Sequence, residues 1–209
     1  MINKTFALAL MLAAPATLAF SQGAMAQAAK PSEAAIAATV NGSFSGTTEE
    51  WRKRIEVDET QRICTEKRNQ VSAGEADAIQ KREAKTVPAP ADGKYLGDWK
   101  KGFRVANVGT GGQFSDKPGG PVGGNCYACH ELAPTELSYG TLGPSLKGYG
   151  KVKDFSEDAI KEAWAKIWNS QSVFACSNMP RFGAKKILNE EQIKDVLAYL
   201  FDKDSPVNK

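Results

Sequence analysis

Two stretches of the chain carry a clear helical rhythm of apolar and polar positions. From Ser156 to Asn169, the apolar residues Ile160, Ala163, Trp164 and Ile167 recur at three- and four-residue steps, which puts them on one face of a helix. Ser156 suits the N-cap, and Glu157 and Asp158 suit the positive end of the helix dipole. From Asn189 to Asp202, the stripe is Ile193, Val196, Leu197 and Leu200, and Asn189 with Gln192 has the spacing of a capping box. Asp98 to Asn107 reads as a shorter helix. Between these lies a run from Gly109 to Gly124 with Pro118 and Pro121, too rich in glycine and proline for a regular element. It lacks the Gly-Lys-Ser/Thr ending of a phosphate-binding loop, so a surface loop is expected. The elements found are helices, and the expected class is all-α.

The first half is less regular. Residues 27–46 are rich in Ala, Ser, Thr and Gly and read as a flexible tail. Thr48 to Lys85 is charged and free of proline, with Trp51, Ile55 and Ile63 near helical spacing and Cys64 beside them. One or two helices are expected there, with Gly74 as the break. The weak apolar stripe describes a solvated helical arm. Val87-Pro88-Ala89-Pro90 reads as a stiff linker. The domain boundary is therefore placed near residue 91, with one further domain over 92–209. No internal repeat is visible.

The first residues add a compartment. Lys4, the apolar stretch Thr5 to Phe20 and Ala24-Met25-Ala26 are the three parts of a secretory signal peptide. Cleavage is expected after Ala26, releasing the chain into the periplasm. The apolar stretch is short for a bilayer span, so no membrane insertion is expected. The 27 Lys and Arg residues are interleaved with 24 Asp and Glu, which argues against a nucleic-acid partner.

Residue counting then narrows the chemistry. Cys126-Tyr127-Ala128-Cys129-His130 is the C-x-x-C-H signal for covalent haem attachment. Two cysteines three apart on one helical turn reach two vinyl groups, and the following imidazole lies beneath the iron. A thioredoxin-like motif would want a βαβ context, and a zinc site would want four ligands. One such motif means one haem c, with Cys126, Cys129 and His130 as its binding residues. His130 is the only histidine among the 209 residues, and Met1, Met11 and Met25 precede the expected cleavage, leaving Met179 of the four methionines. Met paired with His is a common axial set in cytochromes c, which makes Met179 the expected sixth ligand and His130 and Met179 the metal-binding pair. The alternatives are a core methionine, a five-coordinate iron, or ligation by Cys176 or a lysine. The carbonyl near Gly143-Pro144 is either a partner for the proximal imidazole or part of an ordinary turn. Cys64 and Cys176 are left over; export permits a disulfide between them, against two free thiols or a bond to a partner subunit.

The order of these motifs resembles a class I cytochrome c: a helix with Gly102-Phe103, C-x-x-C-H, Gly-Pro-Ser-Leu, a middle helix, Met-Pro, and a last helix with Ala198-Tyr199-Leu200. The resemblance implies that the first and last helices cross, with Gly102 allowing close approach beneath Tyr199. Within that class, Pro118-Gly119-Gly120-Pro121, Gly124 through His130, Gly140 through Leu146, and Met179 through Gly183 followed by Gln192-Ile193 and Asp195-Val196 resemble SoxX. SoxX is the small cytochrome subunit of the SoxXA complex of bacterial thiosulfate oxidation. The resemblance covers about residues 94 to 202 and leaves the arm from Thr48 to Lys85 outside it. It implies a heterodimer with a SoxA-like cytochrome subunit within an L-cysteine S-thiosulfotransferase. That enzyme joins thiosulfate to the carrier SoxYZ, and electrons leave through this chain to a soluble cytochrome c. No catalytic residue is expected in the chain itself. The other reading is a free-standing periplasmic electron carrier.

Overall fold

In the computed structural model, residues 31–111, 115–116 and 119–209 are described. The expected signal peptide lies outside them. The described residues form eight α-helices and no strand, an all-α fold. Two compact units divide the chain, one ending at Gly46 and one running from Thr47 to Lys209. In the first, α1 (Glu33–Ser43) is capped by Ser32 and buries none of its residues. A tail without regular structure was expected there. The alanines of α1 have high helix propensity, and Ser32 caps the first turn.

The second unit is built around α5 (Trp99–Asn107) and α8 (Glu190–Phe201), the helix pair in most extensive contact. Asp98 caps α5, and Asn189 with Gln192 forms the expected capping box on α8. The two helices meet at Gly102. A Cβ there would collide with the Asp195 carbonyl oxygen and lie 2.9 Å from Tyr199 Cβ. Only a residue without a side chain permits this approach. Phe103 sits edge-on to the Tyr199 ring at 5.7 Å. Asp195 Oδ1 accepts the Asp98 N–H at 2.8 Å, fixing the entry to α5. Lys194 is buried, with its ammonium 2.7 Å from Asp92, 3.1 Å from Glu190 and 3.2 Å from Glu191.

Helix α7 (Glu157–Trp168), capped by Ser156, closes the core with Ala163, Trp164 and Ile167, and the short α6 (Tyr149–Val152) packs Tyr149 on Phe201. The C-terminal residues are part of this core. Val207 and Asn208 are buried, and Asn208 accepts the Gly150 N–H at 3.0 Å while donating to the Leu200 and Asp202 carbonyls.

The arm differs from expectation. It holds three helices, α2 (Glu49–Ile55), α3 (Glu59–Glu66) and α4 (Ala73–Ala84). Gly74 lies inside the first turn of α4 and breaks nothing. The starts are set by capping boxes, Asp58 with Gln61 and Ser72 with Glu75, which satisfy the free N–H groups at each helix start. Nor is the arm merely solvated. Cys64 and Ile79 are buried together with Ala175 and Cys176. The proline stretch is no free spacer. Val87 packs on the main core, Pro90 is buried, and Pro88 O accepts the Trp164 indole N–H at 2.8 Å. A buried indole N–H needs a partner, and the proline carbonyl supplies it. Residues 47–209 are accordingly one compact unit, with no separation near residue 91.

Candidate haem site

Cys126 to Ala128 forms a single 3₁₀ turn, entered through Asn125 at φ 49° and closed by the Cys129 and His130 N–H groups on the Cys126 carbonyl. The glycine-rich run was expected on the surface, yet its end is built into the core. Gly123 and Gly124 are buried, and the Gly124 N–H bonds the Val105 carbonyl at the end of α5. A Cβ on Gly123 would strike the Val108 carbonyl. The turn is thereby anchored to α5.

His130 follows the turn. Its Nδ1 lies 2.7 Å from the Pro144 carbonyl oxygen. A carbonyl only accepts, so Nδ1 carries the proton and Nε2 of the neutral ring keeps its lone pair. A Cβ on Gly143 would lie 2.5 Å from Nδ1 and 2.7 Å from Nε2, so the strand of chain that supplies the acceptor also needs a glycine to pass the ring. Of the two readings of Gly143-Pro144, the hydrogen-bonded one is present.

His130, Cys126 and Met179 line one apolar cavity, walled otherwise by Ala106, Leu132, Leu146, Ile167, Phe182, Leu188, Val196, Tyr199 and Leu200. Met179 arrives from the irregular segment after α7, with its carbonyl held by the Ser170 hydroxyl at 2.6 Å and its N–H by Ser177 Oγ at 3.2 Å. Cys129 is half-buried beside the same turn. Burial pushes the Cys126 thiol up to about 12, which keeps it protonated before any attachment. The Tyr199 hydroxyl has no hydrogen-bond partner among the described residues; Tyr199 lines the cavity, and burial first, then the nearby Glu136, pushes its hydroxyl up to about 12. These features fit a haem: an apolar chamber, two thiols on one turn, an imidazole offering Nε2, a thioether on the wall, and a buried hydroxyl left without a partner.

Cys64 and Cys176 are joined by a disulfide, with Cα atoms 5.4 Å apart across 112 positions. Sequence reasoning missed a polar cluster beside it. Glu83 is buried, accepting from the Thr60 hydroxyl and from Asn169 Nδ2 at 2.8 Å, with Arg181 at 3.5 Å. Arg181 also pairs with Asp58 at 2.5 Å, and Lys185 reaches the same carboxylate at 3.0 Å.

The site and fold define a haem-binding electron-transfer domain. Residues 112–202 match the cytochrome c family, and this part of the chain is a cytochrome c domain. Such a domain implies covalently bound haem c. Along most of its length the chain is also similar to a protein of Aquifex aeolicus (strain VF5) described as an uncharacterized lipoprotein. The two are 36% identical over 189 residues, 88% of this chain and 89% of the relative. Among the described residues no helix is long and apolar enough to cross a membrane.

Proposed function

We propose that this chain is an exported monohaem cytochrome c that serves as the electron-accepting subunit of a SoxXA-type L-cysteine S-thiosulfotransferase. Cys126 and Cys129 would hold the haem, and His130 and Met179 would ligate its iron. Bound haem supplies a one-electron iron couple. The observation that carries the ligand set is the shared cavity of Cys126, His130 and Met179, with His130 Nδ1 committed to the Pro144 carbonyl. Nε2 is thus the free imidazole nitrogen, and the bond fixes the plane of the ring.

The chain's own residues do no bond-making in this reading. With His130 and Met179 both given to the iron, no open position would remain there for a substrate. Joining thiosulfate to a carrier cysteine forms a sulfur–sulfur bond, expels the thiol proton and releases two electrons. A SoxA-like partner hosts that step, and this chain passes the electrons singly to a soluble cytochrome c. Tyr127, Leu137, Tyr139 and Leu142 are exposed around the attachment turn, where the Gly140 and Gly143 N–H groups bond the Tyr127 and Cys129 carbonyls. Such a cluster of exposed apolar side chains is suited to a protein partner. Export to the periplasm is supported by the disulfide and by the lipoprotein description of the Aquifex relative.

The test is reconstitution. The purified holoprotein should exchange electrons but leave thiosulfate untouched. Reduction of added cytochrome c by thiosulfate should require a SoxA-like subunit and a carrier with an acceptor cysteine. Turnover by this chain alone overturns the reading, and failure to bind any SoxA-like subunit turns it towards a free-standing carrier. Met179→Ala should abolish the weak near-infrared sulfur-to-iron band of the oxidised protein, and an unchanged band removes Met179 from the iron.

A further inference from the structure

The segment bearing Met179 has little regular structure of its own. Between the 3₁₀ turn Ser170–Ser172 and the start of α8, no helix holds it. Downstream it is pinned to α7, where the Phe182 and Gly183 N–H groups bond the Ile167 and Trp168 carbonyls. Upstream, residues 173–178 are held differently. Ala175 and Cys176 are buried only in the small cluster with Cys64 and Ile79 of the arm, apart from the main core. Cys176 sits at φ 58°, a left-handed conformation that a non-glycine residue keeps only when its surroundings impose it. Cys64 of α3 holds it covalently, and Gln80 of α4 donates to the Val173 carbonyl at 2.8 Å.

A second set of ties comes from the polar cluster. Asn169 Nδ2 is shared between Glu83 and Thr86, each at 2.8 Å. The next residue, Ser170, holds the Met179 carbonyl at 2.6 Å. Two positions beyond Met179, the largely buried Arg181 guanidinium is held between Asp58 and Glu83. The arm thus grips the chain three residues before Met179, two after it, and through Asn169 at the point where its carbonyl is fixed.

We propose that the arm, Thr48 to Lys85, is a positioning device for the sixth iron ligand: it holds the Met179 loop closed over the cavity and slows departure of the thioether from the iron. The proposal rests on Met179 being that ligand. Asp58, Cys64, Gln80 and Glu83 act through the loop, and none lines the cavity. The Arg181–Glu83 pair is largely buried on both sides, and removing one partner of a buried ion pair strands the other's charge.

The experiment uses the full-length holoprotein. Imidazole competes with the thioether for ferric iron, and its binding rate at saturating imidazole reports how often Met179 leaves. Three forms are compared with the unaltered protein: Cys64→Ser with Cys176→Ser, Asp58→Asn, and Gln80→Ala. Each should keep its covalent haem and helical circular dichroism and retain the near-infrared band. Imidazole should enter at least tenfold faster in the first two and measurably faster in the third. If the disulfide-free form does not fold, Asp58→Asn, with its disulfide intact, decides the matter. A band present in the unaltered protein and lost in Met179→Ala, with wild-type imidazole rates in folded arm variants, overturns the clamp and leaves the ligand standing. A band that survives Met179→Ala overturns the ligand assignment, and the clamp falls with it.

Discussion

His130 Nδ1 and the Pro144 carbonyl oxygen lie 2.7 Å apart across 14 positions of sequence. This contact joins the attachment turn to the Gly-Pro strand and decides which imidazole nitrogen is free. The backbone acceptor cannot be deleted by substitution, but its approach can be spoiled. Gly143→Ala would place a methyl group against the ring, within 2.5 Å of Nδ1. Covalent haem should survive, because both cysteines remain. The hydrogen bond should break and the imidazole should reorient, seen as shifts of the haem-methyl resonances in paramagnetic NMR spectra and of the reduction potential. Unchanged spectra would show that the strand yields without disturbing the ring.

Gly102→Ala tests the helix crossing. Its methyl group would meet the Asp195 carbonyl and Tyr199 Cβ, both parts of a packed interface. Overpacking of this kind costs about 1–3 kcal/mol. Urea denaturation should place the variant below the parent by that amount, with haem attachment intact.

The disulfide between Cys64 and Cys176 closes 112 positions. In the chain-entropy account a loop of that length contributes about 4 to 5 kcal/mol when unstrained. Reduction should lower the denaturation midpoint accordingly. Thiol counting on denatured, unreduced holoprotein should find no reactive thiol per chain, since Cys126 and Cys129 would be thioethers.

Acid should loosen the arm. Burial works against ionisation of Asp58, yet hydrogen bonds from the Gln61 N–H, Lys185 and Arg181 outweigh it and bring the carboxyl from 3.8 to about 2. A carboxyl with a lower pKa folded than unfolded contributes fully above its unfolded value and loses that contribution as pH falls through the folded one. The tie from Asp58 to Arg181 and Lys185 is therefore complete at neutral pH and fades between about pH 4 and pH 2. Comparing acid denaturation of the parent with Asp58→Asn should show stabilities that differ at pH 7 and converge towards pH 2.

Much of the haem-bearing half was legible because its signals are local. The caps Ser156 and Asn189 each stand about one turn before the first residue of an apolar stripe, Ile160 and Ile193. The C-x-x-C-H motif lies within five consecutive residues. In the arm, Gly74 reads as a break, whereas the two capping boxes are the stronger signal. Gly74 in a first turn costs little, whereas Asp58-x-x-Gln61 and Ser72-x-x-Glu75 set the helix starts. The polar cluster was hidden for another reason. Glu83 meets Asn169 across 86 positions, and Asp58 meets Arg181 across 123. Each residue alone looks like an ordinary surface group, and only the fold brings the charges together. The same holds for Asn208, whose partner Gly150 is 58 positions away.

The bond between Cys64 and Cys176 also divides the polypeptide into a ring and two tails. Cys126, Cys129 and His130 lie on the ring, while Met179 and α8 lie on the tail leaving it. A protease that cuts once between Cys64 and Cys176 therefore opens the ring without dividing the molecule, and the attachment cysteines stay covalently joined to the segment carrying Met179. A cut between Cys176 and Met179 severs them. Nicked holoprotein should migrate as one species until a reductant is added, and the haem stain should then follow the fragment that holds Cys126.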